Sequence, residues 1–252
     1  MVEEILRRKR EIIERLKERR SIKMTISEAK KEVKNPVITE VKRRGLKKGE
    51  SAIKVESAVA AKQMEDGGAC AISVLTEEAF AGSLSDLRDV KLSVTLPVLR
   101  KDFIFDEFQV LESYVHGADA ILLIARFLNA SKLNELTKKA AAVGLEALIE
   151  IDRVSKDMIS GMDLMSASTL IGINNRDLDT LEVDVATFEQ IAPEIKSKIP
   201  ANVPLVAMSG ISNKEDVRRM FEAGADALLA GTSIMHAEDI ARKVRDLVYS
   251  RV

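Results

Sequence analysis

The strongest constraint on this chain is a rhythm. Short runs rich in Val, Ile, Leu and Ala recur at 37–42, 70–75, 96–100, 120–124, 146–151, 170–174, 203–207 and 226–230. Each is followed by a stretch with helical spacing of apolar residues, at roughly 51–66, 84–92, 106–115, 131–142, 154–164, 184–197, 213–222 and 237–249. The runs are continuous rather than alternating. A strand that is apolar on both faces is buried on both, which is the signature of a parallel sheet covered by helices. GGACAISV, HGADAILLI and AGADALLAG share one entry pattern. A glycine ends the preceding helix, where a left-handed residue costs little, and the strand begins after the alanine. Ser131, Asp184 and Asn213 read as helix N-caps, with Glu135 one place beyond the capping-box position for the first of them.

Eight strand-helix units in 252 residues fit an α/β fold, the (β/α)8 TIM barrel. An open doubly wound sheet uses the same elements, but its nucleotide-binding form needs a glycine-rich first turn. The first turn here is KRRGLKKGES, with no GxGxxG. No linker divides the chain, so residues 1–252 read as one barrel domain with residues 1–35 as an N-terminal helical extension. Within that extension, Ile5, Leu6, Ile12, Ile13 and Leu16 predict a helix over 3–20 that closes the bottom of the barrel or packs on its side. Residues 21–35 are polar and basic, with at most a short helical turn around Ser27, Glu28 and Ala29.

Charge and composition exclude several classes of function. The net charge is -1, which gives no footprint for nucleic acid or an acidic membrane. No stretch is long and apolar enough to span a bilayer, and the first 20 residues are too charged for a signal peptide, so the cytoplasm is expected. The single cysteine, Cys70, lies in an apolar run and reads as a buried small hydrophobe. With only two histidines, His116 and His236, in no ligand-like spacing, no metal is expected, and both read as structural or exposed. No tryptophan, 4% aromatic residues and helices rich in Glu, Lys and Arg fit a heat-adapted protein. No apolar surface stripe stands out, so a monomer is expected, with a noncovalent partner left open.

Catalytic groups in a barrel emerge where strands end. That rim carries Glu40 and Lys42, Thr76 and Glu77, Lys101 and Asp102, Arg126, Glu150, Asn174 and Arg176, Ser209 and Gly210, and Gly231 and Thr232. Glu40 and Lys42 are two apart on one strand, so both face the mouth. Two lysines and two glutamates around one pocket suit acid–base work on an anionic substrate, each pKa moved toward neutrality. AMSGI and LLAGTSI put small residues at the last two strand ends, where barrels commonly hold a phosphate on exposed backbone N–H groups. Arg126 and Arg176 either touch substrate or fasten loops to rim carboxylates. Asp177 caps or turns its own loop. Phe80 and Phe103 are apolar candidates for packing an aromatic ring.

These residues resemble a known family. VITEVKRR, AISVLTEEAFAG, LPVLRKDFIFDEFQV, GADAILLIARFL, GLEALIEI, IGINNRDLDTLEVD, SGI and GADALLAGTSIM follow, in order, the pattern of indole-3-glycerol phosphate synthase of tryptophan biosynthesis. The resemblance spans about residues 36–237. It implies closure and decarboxylation of an anthranilate-linked deoxyribulose phosphate, without metal or organic cofactor. By the same resemblance, Lys101 would be the general acid on the substrate carbonyl. Glu150 would be its acid or base partner, and Glu40 would support proton transfer. Lys42 would bind the phosphate side and the leaving carboxylate, and Asn174 would bond the substrate near the reacting carbons. Ser209, Gly210, Gly231 and Thr232 match the phosphate cradle, Phe80 and Phe103 the surroundings of the anthranilate ring, and Arg176 a residue that steadies the rim. A pathway partner would be noncovalent.

Two positions depart from the family pattern. AMSGI puts Met208 where the family has a glutamate. A thioether accepts no charge-assisted hydrogen bond and supplies no counter-charge to the rim lysines. RRGLKKGES puts Gly45 and Leu46 where Ser and Pro are expected, and Lys47 and Lys48 add positive charge. Two alternatives therefore stay open: an altered or engineered barrel running another carbonyl or carbanion reaction, and a phosphosugar-binding protein without catalysis.

Overall fold

The computed structural model describes residues 1–44, 53, 55–164 and 168–250. Gly45, Leu46, Lys47 and Lys48 lie outside them. Eight parallel strands close on themselves in sequence order: β1 (Val37–Val41), β2 (Ala71–Leu75), β3 (Val98–Lys101), β4 (Ala120–Ile124), β5 (Glu146–Ile151), β6 (Thr169–Asn174), β7 (Leu205–Met208) and β8 (Ala227–Ala230), with β8 pairing back onto β1. Every one of the apolar runs forms a strand. Outside the barrel lie α3 (Ser57–Asp66), α4 (Leu84–Ser93), α5 (Glu107–Val115), α6 (Ala130–Ala142), α7 (Ala186–Lys198), α8 (Lys214–Glu222) and α10 (Ile240–Val248). A single turn, α9 (Thr232–Met235), precedes α10 at the mouth.

The runs become strands because each has work on both faces. Outward residues such as Ile72, Val74, Ile121 and Ile149 pack under the helices. Inward residues, among them Ile38, Ala71, Leu99, Leu122, Leu148 and Leu229, fill the barrel with a second apolar cluster. The barrel interior is therefore packed mainly with apolar side chains below the mouth, with Ser73 and Glu146 as buried polar members.

Some expectations need correction. The extension holds two helices, α1 (Val2–Lys17) and α2 (Ile22–Lys31). α1 has no fully buried residue and lies against α4 and α5. The polar-looking segment is the one that closes the barrel bottom. Ile22 and Ile26, four apart on one face of α2, join the inner cluster. Glu146, at the lower end of β5, accepts from Ser21 Oγ at 2.6 Å and from the Ile22 N–H at 2.8 Å. Residues 154–164 hold only a 3-10 segment, Lys156–Gly161. Asp152 Oδ1 takes the N–H groups of Val154 and Ser155, so the start of that stretch is spent in a side-chain-capped turn. The cap of α6 is Asn129, not Ser131, while Asn213 caps α8 with a full capping box. Asp184 accepts from the Ala186 N–H at 3.0 Å beside the start of α7.

Cys70 is buried, and burial pushes its thiol up to about 12, so it packs as a hydrophobe. Among the described residues, no helix is long and apolar enough to cross a membrane, and no cluster of His, Cys, Asp and Glu could hold a metal ion.

Candidate active site

The strand registers stack inward side chains in layers. Glu40 of β1, Lys101 of β3, Glu150 of β5 and Met208 of β7 form one layer. Beneath it, the alternate strands contribute Ser73, Leu122, Gly172 and Leu229. The charged side chains Glu40, Lys101 and Glu150 thus all stand in the upper of these two consecutive layers. Lys42 and Asn174 stand nearer the rim.

The charges are arranged as a chain. Glu40 is 6% exposed, and its two carboxylate oxygens lie 3.7 Å from the ammonium groups of Lys42 and Lys101. Glu150 is 3% exposed. Its Oε1 accepts from Asn174 Nδ2 at 2.8 Å, and its Oε2 has no hydrogen-bond partner. Asn174 is itself oriented, because its Oδ1 accepts from the Arg176 N–H at 2.9 Å.

Burial pushes the Glu150 carboxyl above the ordinary carboxylate range, against the pull of Lys101 and Asn174. Lys101 departs from expectation. Burial alone would lower its ammonium, but Glu40 and Glu150 outweigh burial and the net direction is upward. The lysine therefore stays charged and can donate a proton. Glu150 moves toward neutrality, and Lys101 moves away from it.

Above this layer opens a cavity of about 870 Å³. It is lined by Glu40, Lys42, Phe80, Lys101, Phe103, Glu150, Asn174, Arg176, Met208, Ser209, Gly210, Gly231 and Thr232, which are all the residues singled out as catalytic or substrate-binding. One side is aromatic. Phe103 and Phe127 meet with ring centroids 6.0 Å apart, and Phe80 lines the same space. The other side is made of the turns after β7 and β8. Ser209 and Gly210 have φ of 68° and 81°, so the chain turns sharply there and only the second position is free of strain. Gly231 is required by contact: a Cβ would lie 2.8 Å from Glu40 Oε1.

Met208 is 1% exposed. Its thioether fills the groove left by Gly172, where a Cβ would come within 2.4 Å of Sδ. It is an apolar piece of the floor, not a polar contact.

Several rim candidates turn out to be structural. Thr76 Oγ1 donates to Asp102 Oδ2 at 2.5 Å, and Asp102 pairs with Arg100 at 2.9 Å, so Asp102 is not the partner of Lys101. Glu77 caps the short turn after β2. Arg126 fastens loops, pairing with Asp152 at 2.7 Å and with Asp179. Arg176 both lines the cavity and holds its loop, donating to the Leu181 carbonyl at 2.6 Å. Asp177 turns that loop by accepting from the N–H groups of Asp179 and Thr180. His116 ends α5 with Nδ1 2.8 Å from the Glu112 carbonyl.

The sequence reading missed Phe127, Leu178, Leu181, Val183 and His236 in the cavity wall. The three aliphatic residues had a signal, since they stand among acids in RDLDTLEVD. His236 sits at the end of α9 and is exposed to the mouth, a position set by a helix too short to read in advance.

Comparison with known proteins adds a chemical identity to this geometry. The family model described as indole-3-glycerol phosphate synthase matches residues 2–247. A protein of that name from Aquifex aeolicus is 38% identical over 97% of this chain and 92% of its own length. One from Kineococcus radiotolerans is 44% identical over 84% of this chain and 75% of its own length. Among solved structures, a tryptophan synthase alpha subunit from Legionella pneumophila superposes with a TM-score of 0.65 at 12% identity, over 90% of this chain and 96% of that one. That likeness speaks for the fold alone.

Proposed function

The chain belongs to the indole-3-glycerol phosphate synthase family, and we propose that it closes and decarboxylates 1-(2-carboxyphenylamino)-1-deoxyribulose 5-phosphate at this barrel mouth. The observation that carries the residue assignment is the Lys101 ammonium, kept charged by the carboxylates of Glu40 and Glu150 at the floor of a cavity with one aromatic and one turn-built side.

The roles follow from chemistry. Ring closure joins the carboxylate-bearing carbon of the aromatic ring to the ketone carbon of the chain, and negative charge grows on the ketone oxygen. Lys101 donates a proton there, and Glu40 holds the ammonium in place. Carbon dioxide leaves as the ring regains aromaticity, with Lys42 pairing the carboxylate until it departs. Glu150, with one oxygen anchored and the other unpartnered, exchanges the protons needed for the new hydroxyl to leave as water. Asn174 bonds the substrate beside it. Ser209, Gly210, Gly231 and Thr232 receive the phosphate, and Phe80 and Phe103 flank the anthranilate ring. Arg176 steadies the rim, and Met208 closes the floor without charge. No cofactor is needed for any step. The protein acts in the cytoplasm as a monomer, open to noncovalent association with another enzyme of tryptophan biosynthesis.

The test is indole-3-glycerol phosphate formation, followed by fluorescence, in the parent and in K101A. The parent turns over, and K101A loses roughly 10²–10⁴ in kcat while keeping the parent's affinity for phosphate. An inactive parent that still binds the substrate saturably would assign phosphosugar binding instead.

A further inference from the structure

We propose that Arg126 is a positioning residue for this site, tying the loop after β5 to the loop after β6 and thereby holding the wall formed by Leu178, Leu181 and Val183. The inference rests on the mouth being the synthase site.

Arg126 itself does not line the cavity. It sits in the 3-10 turn Ala125–Phe127, straight after β4, and its side chain is 14% exposed. One terminal nitrogen donates to Asp152 Oδ2 at 2.7 Å, and the other donates to Asp179. Asp152 stands two residues beyond Glu150, and its other oxygen is fully used by Val154 and Ser155. Asp179 belongs to the segment that follows Asn174. One guanidinium therefore fixes two loops whose strands carry Glu150 and Asn174.

The segment it fixes is built as a small hairpin. Arg176 bridges to Val183, the Asp177 N–H reaches the Glu182 carbonyl at 2.9 Å, and the Asp184 N–H reaches the Asn175 carbonyl at 2.9 Å. Leu181 is held at φ 62°, a conformation costly for leucine. Strain of that kind persists only where surroundings enforce it. The hairpin puts Leu178, Leu181 and Val183 into the cavity wall, and Val183 packs where a Cβ on Gly210 would lie, 2.7 Å from its Cγ1. Misplacing the hairpin thus disturbs the apolar wall and the turn after β7 together.

Arg126 has a second effect, through charge. Asp152 raises the proton affinity of Glu150, and Arg126 neutralises Asp152. The charged groups facing Glu150 are Lys101 of β3 and Glu40 of β1, reaching it across the barrel, and Asp152 just past the end of its own strand. Removing Arg126 leaves Asp152 uncompensated and moves the Glu150 carboxyl further up.

Three variants separate the two effects. R126Q removes both, R126K keeps the charge without the fork, and D179N cuts only the loop tie at a side chain that is 73% exposed. R126Q should raise KM roughly tenfold, with a smaller loss in kcat, and shift the acid limb of kcat upward. D179N should raise KM with the parent's pH profile. R126K should restore the profile and leave KM raised. Hydrogen exchange at the Asp177, Leu181 and Asp184 amides, which needs no turnover, should quicken at least severalfold in R126Q and D179N. Parent exchange rates in both would overturn the proposal, as would parent KM and pH profile in R126Q. An inactive parent whose R126Q exchange still quickens would sink the synthase reading and leave the loop tie standing.

Discussion

Glu150 holds one oxygen on Asn174 and none on the other, in a layer that otherwise offers it only Lys101 as an opposite charge. Its carboxyl is raised by burial, so the protonated form persists to higher pH than in a free glutamate. The sign for stability follows: the folded state binds this proton more tightly than the unfolded one. The contribution is complete below the unfolded value, about 4.3, and is lost as pH rises through the folded one. For catalysis, any step that needs the carboxylate weakens as pH falls through that same raised value. The kcat–pH profile should therefore show an acid limb above the ordinary carboxylate range. M208E places another carboxylate in the same layer, in the groove that Gly172 leaves, and should move the limb further up. A parent limb at about 4.3 would contradict the burial argument. At this scale the place of Glu40, Lys42, Lys101 and Glu150 in the cavity was legible from charges at the ends of apolar strands, although the same signal marks Asp102 and Arg126, whose charges are spent in structural pairs. The sequence was silent on the direction of the Lys101 shift, which depends on two carboxylates arriving from other strands.

Strands were easy to read because both faces are buried, so a run of Val, Ile and Leu has no competing explanation. α2 was not, since a plug helix needs only a narrow apolar face. Ile22 and Ile26 supply it, while Lys23, Lys30 and Lys31 dominate the composition. Its end carries a local conflict. Val33, just past α2, has φ 59° and is 70% exposed. A β-branched residue is disfavoured there by roughly 1–2 kcal/mol, whereas glycine adopts the conformation freely. V33G should stabilise the protein by about 0.5–1 kcal/mol after the entropy lost by the more flexible unfolded chain is subtracted. Urea unfolding at constant m-value measures it. A destabilised V33G would mean that the valine side chain contributes packing that its exposure conceals. The missed 3-10 segment at Lys156–Gly161 has the opposite cause: Asp152 captures two backbone donors early, and the apolar spacing downstream never gains a full helix.

The extension and the barrel are joined unevenly, and that sets how the whole molecule should tolerate cutting. α1 buries no residue fully, and an isolated helix of that length is marginal in water. Just after it the attachment becomes dense. Lys91 and Asp119, both fully buried, pair at 2.7 Å, and the same lysine donates to the Glu18 carbonyl at 2.9 Å. Asp119 also accepts from the N–H groups of Arg20 and Val98, and Arg20 reaches the carbonyls of Val94 and Leu96. Then α2 seals the inner cluster from below. A chain beginning at Glu18 keeps all of these contacts. It should fold to the same barrel and lose only about 1–2 kcal/mol, the order expected for a few half-buried side chains such as Ile12 and Leu16. A chain beginning at Pro36 leaves Glu146 without Ser21 and the Ile22 N–H, uncovers the lower layer of the barrel and strips Asp119 of its Arg20 contact. Unpairing buried groups of this kind costs several kcal/mol together, enough to remove a marginal stability. Thermal unfolding by circular dichroism separates the cases. The shorter deletion should melt cooperatively within several degrees of the parent, and the longer one should show no cooperative transition. Equal losses from both would place the weight of the extension on α1 and refute the reading of α2 as the plug.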